Sequence, residues 1–121
     1  MENNFTEYET KSNQWFSGEI YFGRNIPTGG EISEQQFAEF LSYEVTPLFP
    51  AGMTVYDAYG QMQRSNREIV KQKTKVVVLV HKNSKTDDDA INEIIAAYRS
   101  KFGNPQVMLL TKQVKPVYYG D

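Results

Sequence analysis

EIYFG at Glu19–Gly23, GGEIS at Gly29–Ser33 and FLSYEVTPLFPAGMTVYDAYGQ at Phe40–Gln61 set out a strand, a helix and a strand, with stop signals between them. Just upstream, Trp15 to Phe22 alternates: Phe16, Gly18, Ile20 and Phe22 fall on one side, Trp15, Ser17, Glu19 and Tyr21 on the other. The Pro and Gly content of Gly23–Gly30 marks a loop. Ser33, with Gln36 three residues on, forms a capping-box pattern that opens a helix carrying Phe37, Phe40, Leu41 and Val45 at helical spacing. Pro47 and Pro50-Ala51-Gly52 end it, because the residue before a proline resists the α region.

Beyond that core stretch, Met53–Gln63 is predicted as a second strand and Ile69–Lys82 as a third, joined by the polar turn Arg64–Glu68. Val76-Val77-Val78-Leu79-Val80 is apolar on both parities, the mark of a central strand covered on both faces. Ser84–Lys101 is predicted as a second helix, with Asp87, Asp88 and Asp89 favourable in its first turn and Ile91, Ile94, Ile95, Tyr98 and Phe102 as its buried stripe. Gly103 and Pro105 stop it, and Val107–Val114 is the last strand.

The order β-α-β-β-α-β is that of an α+β, ferredoxin-like sandwich: a four-stranded antiparallel sheet with two helices on one face. Right-handed crossovers put the first and third strands in the centre. Helices on one face leave the other uncovered although the third strand is apolar on both. The expected cover is a second copy of the chain, seated on a surface that carries Val77 and Leu79.

Composition excludes a good deal. The 121 residues contain no cysteine and a single histidine, His81, which removes disulfides, thiolate catalysis, cysteine-ligated metals and multi-histidine metal sites within one chain. There is no phosphate loop and no dinucleotide fingerprint around Gly29-Gly30, so neither cofactor nor metal is expected. A net charge of −2 offers no electrostatic reason to expect nucleic acid. The charge is unevenly placed: residues 1–63 carry two basic and nine acidic groups, residues 64–121 eleven basic and six acidic. Interleaved elements are expected to neutralise these halves in the folded chain. No window is long and apolar enough to span a bilayer, and the first fourteen residues lack the pattern of a secretory signal. They are expected to be a disordered polar arm before one α+β domain, residues 15–121, in a cytoplasmic protein. The sequon at Asn4-Phe5-Thr6 carries no weight without export.

Glu44 is the first candidate for chemistry. It lies within about 60° of Phe37 and Leu41 on the helical wheel, a core-facing place for a carboxylate. A structural partner such as Arg24 or a tyrosine hydroxyl is the expectation, a general base the alternative. His81 at a strand end and Asp57 within a strand are the other catalytic candidates. Tyr21, Arg24 and Tyr59 are the candidates for binding a small-molecule ligand, with Tyr56 beside them. Asp87-Asp88-Asp89 reads as a helix start, since the spacing of an EF-hand is absent. Arg64, Arg67, Lys71, Lys73 and Lys75 read as a solvated hairpin that protects an edge.

EIYFG, GGEIS, FLSYEVTPLFPAGMTVYDAYGQ and KVVVLV together resemble the bacterial DUF3574 family, which shows a similar strand–helix run and a VTP…FPxG…TV.DAxGQ signature; AAYRSKFG is similar to its late helix. The resemblance covers about residues 17–112 and implies no assigned activity. Many members look exported or lipid-anchored, a pattern this chain departs from. The family's signature continues as GQW and Arg, whereas here Met62 stands in place of the Trp.

The expected function is self-association through the sheet with binding of a small ligand or partner, without catalysis, nucleic acid or membrane. The rival is a cofactor-independent isomerase or lyase of the dimeric α+β-barrel kind, in which Glu44 or His81 moves a proton and Tyr21 or Tyr59 orients substrate. An enzyme of that kind needs these groups in one pocket; a binding module can leave them scattered.

Overall fold

The computed structural model describes residues 14–120. The expected N-terminal arm, apart from Gln14, and the sequon at Asn4 lie outside the described residues. β1 (Trp15–Gly23), α1 (Glu34–Phe40), β2 (Thr54–Gln63), β3 (Ile69–Lys82), α2 (Lys85–Lys101) and β4 (Val107–Val114) follow one another. The strands form one antiparallel sheet in the order β2-β3-β1-β4. Each helix carries the chain from one strand across its neighbour to the next. This is the ferredoxin-like α+β sandwich, with both helices on one face.

The helix ends form as their sequences dictate. At the start of α1, Ser33 Oγ accepts from the Gln36 amide and Gln36 Oε1 accepts from the Ser33 amide, a complete capping box. Ser84 caps α2 by accepting from the Asp87 amide. α2 stops where Gly103 takes φ 74° and the Asn104 amide turns back to the Arg99 carbonyl at 2.7 Å, a Schellman closure that a residue with a Cβ resists.

α1 does not continue as an α-helix to Val45. Leu41–Val45 is a π-helical turn, in which the Thr46 amide reaches the Leu41 carbonyl at 2.9 Å. The extra residue per turn advances the core stripe by one position, so Val45 and Phe49 are buried. Leu48 is exposed and Glu44 is half-buried. Val45 is buried as its spacing predicts, whereas Glu44, expected to face the core beside Phe37 and Leu41, is only half-buried.

Cross-strand register decides which valines meet the helices. Ile20 pairs with Val77 and Gly18 with Leu79, so Val77 and Leu79 share the helix-covered face with Ile20 and Phe22. There they pack with Phe37, Phe40, Ile91, Ile94 and Tyr98. The expectation that Val77 and Leu79 form the uncovered surface is therefore corrected: the open face carries Val76, Val78 and Val80, of which Val80 is exposed, Val78 partly so, and Val76 is covered by its neighbours. With valine on both parities, the strand carries no signal of its own for which set points inward. Phe22, Phe37, Phe40, Tyr98 and Phe102 form an aromatic cluster beneath the helices, with Phe22 and Tyr98 centroids 4.6 Å apart. Among the described residues no helix is long and apolar enough to cross a membrane.

Candidate functional site

Asp57 and Arg24 belong to one ionic cluster on the helix side of the sheet. Arg24, just past β1, is buried, with 5% exposure. Its Nε donates to the Ile32 carbonyl at 2.9 Å and its Nη1 to Glu34 Oε1 at 3.0 Å, while Glu31 lies 3.5 Å from Nη2. Lys75 on β3 is buried too, and its Nζ lies 2.6 Å from both Glu34 Oε2 and Asp57 Oδ1. Its hydrogen bonds hold the Glu34 and Asp57 carboxyls below their ordinary values. Burial pulls the Lys75 ammonium down, but hydrogen bonds to the two carboxylates outweigh it and leave its pKa raised. Two buried cations so fully engaged tie the β1 exit, α1, β2 and β3 together. A shallow cleft of about 330 Å³ opens beside them.

Glu44 makes no ion pair or side-chain hydrogen bond among the described residues; the expected partner Arg24 is taken by Glu31 and Glu34. His81 is on the helix-covered face at the far end of β3, stacked on Phe16 at 6.2 Å. The catalytic candidates Glu44, Asp57 and His81 therefore stand in three separate places. No three histidine, aspartate or glutamate side chains gather as a metal site among the described residues. Tyr59 is exposed on β2, opposite Lys73 and on the face away from Tyr21.

Tyr21 lies on the open face, in a row that crosses all four strands: Met108, Tyr21, Val76 and Tyr56. The phenol of Tyr21 is raised above its ordinary value by partial desolvation and by the neighbouring Tyr56 phenol and Glu19 carboxylate. Next to this row the sheet carries Gly23 and Gly60: Gly60 leaves a dip, while the space beside Gly23 is taken by the Gln72 side chain. The groove so formed has a volume of about 500 Å³ over Gly60, Met62, Gln72, Gln106 and Met108. It runs on into a hollow of about 190 Å³ bounded by Tyr21, Gly23 and Thr74. Asn25 and Arg64 border its outer end. The Gln72 side chain crosses where a Gly23 Cβ would sit, 2.5 Å from its Oε1, and accepts from the Asn25 amide at 3.2 Å. Amide groups from Asn25, Gln72 and Gln106 and thioethers from Met62 and Met108 make the lining polarizable and neutral, with Arg64 the one formal charge among its named residues.

Of the sequence-derived candidates only Tyr21 reaches this groove. Gly60, Met62, Gln72, Gln106 and Met108 were not among them, though a glycine inside a strand pattern signals a close approach or a gap. A larger hollow of about 590 Å³ lies along the end of α2, but Arg99 is its one ionisable group and its Nε is turned to the Pro105 carbonyl at 3.3 Å.

Residues 17–118 match the family described as Protein of unknown function (DUF3574), and the chain belongs to that family. No curated protein matches it in sequence. Among solved structures it is similar to a phage SAM lyase in complex with S-methyl-5'-thioadenosine, at 11% identity and a TM-score of 0.58, over 88% of this chain and 93% of that one. A de novo designed protein, Foldit4, aligns at 12% identity and a TM-score of 0.48 over 84% of this chain and 99% of its own. At such identities the likeness is one of fold.

Proposed function

We propose that this member of the DUF3574 family is a self-associating small-molecule-binding protein, in which a second copy covers the open sheet face and the groove beside Tyr21 holds the ligand. The observation that carries the reading is the open face itself. Val78 and Val80 run along its centre beside the buried Val76, flanked by Tyr21 and by the exposed Tyr56, Met108 and Leu110. Its central carboxylate, Glu19, is matched by Lys112 at 3.1 Å, so two copies of this face meet without like-charge repulsion. Val117, Tyr118 and Tyr119, all strongly exposed, extend apolar surface beyond β4. A lone chain with so much uncovered apolar area is unusual for a stable monomer.

The separation of Glu44, Asp57 and His81 favours binding over the isomerase or lyase reading, which needs them together. The groove volume suits a small organic molecule, and its lining suits a flat, uncharged ring system with hydrogen-bonding edges. The phage SAM lyase complex holds a nucleoside thioether of that description, which makes S-methyl-5'-thioadenosine the first probe.

Light scattering at micromolar concentration tests the assembly: a dimer or larger mass is expected, and the 13.9 kDa monomer mass overturns it. Val78→Asp and Val80→Asp are expected to shift the mass toward monomer with the circular dichroism unchanged. Calorimetric titration of S-methyl-5'-thioadenosine and of adenosine is expected to saturate, and to fail in Gly60→Leu, which fills the dip. Equal binding by Gly60→Leu places the ligand elsewhere.

A further inference from the structure

The groove on the open face has a floor but no roof. Small-molecule sites bury roughly 70–90% of the ligand's surface, more than a groove on a bare sheet face can cover. Its position on that face is also one-sided. Gly60 pairs with Gln72 and Met108 with Tyr21, toward the Gly23 end of β1, whereas Trp15 meets Lys82 and Val114 at the opposite end.

The chain leaves β4 at that opposite end, and residues 115–120 form neither helix nor strand. Val117 is 60% exposed, Tyr118 77% and Tyr119 91%, so two consecutive aromatic rings find almost no cover in their own chain. Three such side chains in a row make an apolar surface that solvent alone does not explain. They cannot serve the groove of their own chain. Met108 lies six positions back from Val114 along β4, about 20 Å at the rise of a strand. Tyr119 stands five positions beyond Val114, about 17 Å at full extension before any is used to turn back.

When two copies meet face to face, the direction of the two-fold axis decides what lies over the groove. An axis along the strands sets groove against groove and leaves both tails bare. An axis across the strands sets the groove end of each copy against the tail end of the other and keeps β4 over β4, so each tail arrives beside the other copy's Met108. Stacked sheets stand about 10 Å apart, a gap that three extended residues cross. Lys115, Pro116 and Val117 supply that length.

We infer that the ligand site is completed by the second copy, whose Tyr118 and Tyr119 roof the groove and stack on the ring it holds. This rests on the reading above that a second copy covers the open face. Gly60 lets a flat ring lie close to the sheet below, and the Met62 and Met108 thioethers adapt to aromatic rings from either copy.

The chain has no cysteine, so every disulfide formed is between introduced thiols. Met108→Cys is combined with Tyr118→Cys in one full-length chain and with Tyr119→Cys in another, and both are oxidised mildly at micromolar concentration. A covalent dimer is expected on a non-reducing gel from at least one of them, formed faster than from any single variant. A disulfide within one chain, or cross-linking no faster than in the single variants, overturns the inference. If light scattering still gives a dimer in that case, self-association stands without the roof; a monomer mass removes both. The second measurement uses Tyr118→Ser with Tyr119→Ser, which leaves the core untouched. At a concentration where this variant is dimeric, its affinity for S-methyl-5'-thioadenosine is expected to fall about tenfold or more, the effect of losing an aromatic stacking partner. Affinity equal to that of the parent overturns the roof.

Discussion

The hydroxyl of Tyr98 on α2 donates a 2.8 Å hydrogen bond to the backbone carbonyl of Gly23 at the end of β1, 75 residues away in the chain. Burial lifts the phenol above its ordinary value, with Arg24 partly offsetting this, so the bond is made by a neutral donor at all physiological pH. It fixes the end of β1 from below the sheet, while Gly23 leaves room above it for Gln72. Tyr98→Phe is expected to lose ~1–2 kcal/mol in urea unfolding, because the packing stays and a buried acceptor loses its donor.

Gly23 and Gly60 both contribute to the groove, but they differ in what a methyl group would meet. At Gly23 a Cβ comes within 2.9 Å of the Gln106 carbonyl, which is backbone and cannot swing aside. At Gly60 the nearest atom is 3.8 Å away. Gly23→Ala is expected to cost ~1–3 kcal/mol through overpacking. Gly60→Ala should stay within about 0.5 kcal/mol of the parent. Equal losses would contradict the packing described.

The π-helical turn makes a prediction about phase. Val45→Ala empties a core position and should cost roughly 1–3 kcal/mol, and Phe49→Ala roughly 3 or more. Glu44→Gln at a half-buried position and Leu48→Ala at an exposed one should each change stability by less than about 1 kcal/mol. Unfolding of the four variants in urea checks this contrast.

The Lys75 cluster makes stability depend on pH in a stated direction. Glu34 and Asp57 have depressed values when folded, so their contribution is full above the ordinary carboxylate range and is lost as pH falls through the folded values. Lys75 has a raised value, so its contribution is full below the ordinary lysine range and is lost as pH rises through the folded value. Lys75→Met should flatten the acid-side decline in melting temperature between about pH 5 and pH 2. Both carboxylates are largely exposed, so added salt should also reduce that decline in the parent.

Nucleic acid is expected not to bind. Tyr59, expected beside Tyr21 in an aromatic stacking platform, faces the other way, and Glu19 stands among the aromatic side chains of the open face, where its charge repels a phosphate backbone. Fluorescence anisotropy with a short single-stranded oligonucleotide at low salt should stay flat; saturable, salt-sensitive binding would also count against a second copy seated on that face.

Local chemistry by itself determined the six elements and their order. Ser33 and Ser84, Pro47, Gly103 and the alternation of Trp15–Phe22 act within a few residues of themselves, so each was legible where it stood. Which face of β3 lies inward was not, since five consecutive apolar residues look the same from either side, and the pairing of Val77 with Ile20 decided it. The helical phase at Glu44 was likewise hidden: the chain gains a residue in the Leu41–Val45 turn, and only the burial of Val45 and Phe49 marks where. The groove draws on segments far apart in sequence, Gly60 with Gln106. Such a site exists only after all four strands pair, because a short-range pattern holds no information about which distant side chains the sheet register will bring together.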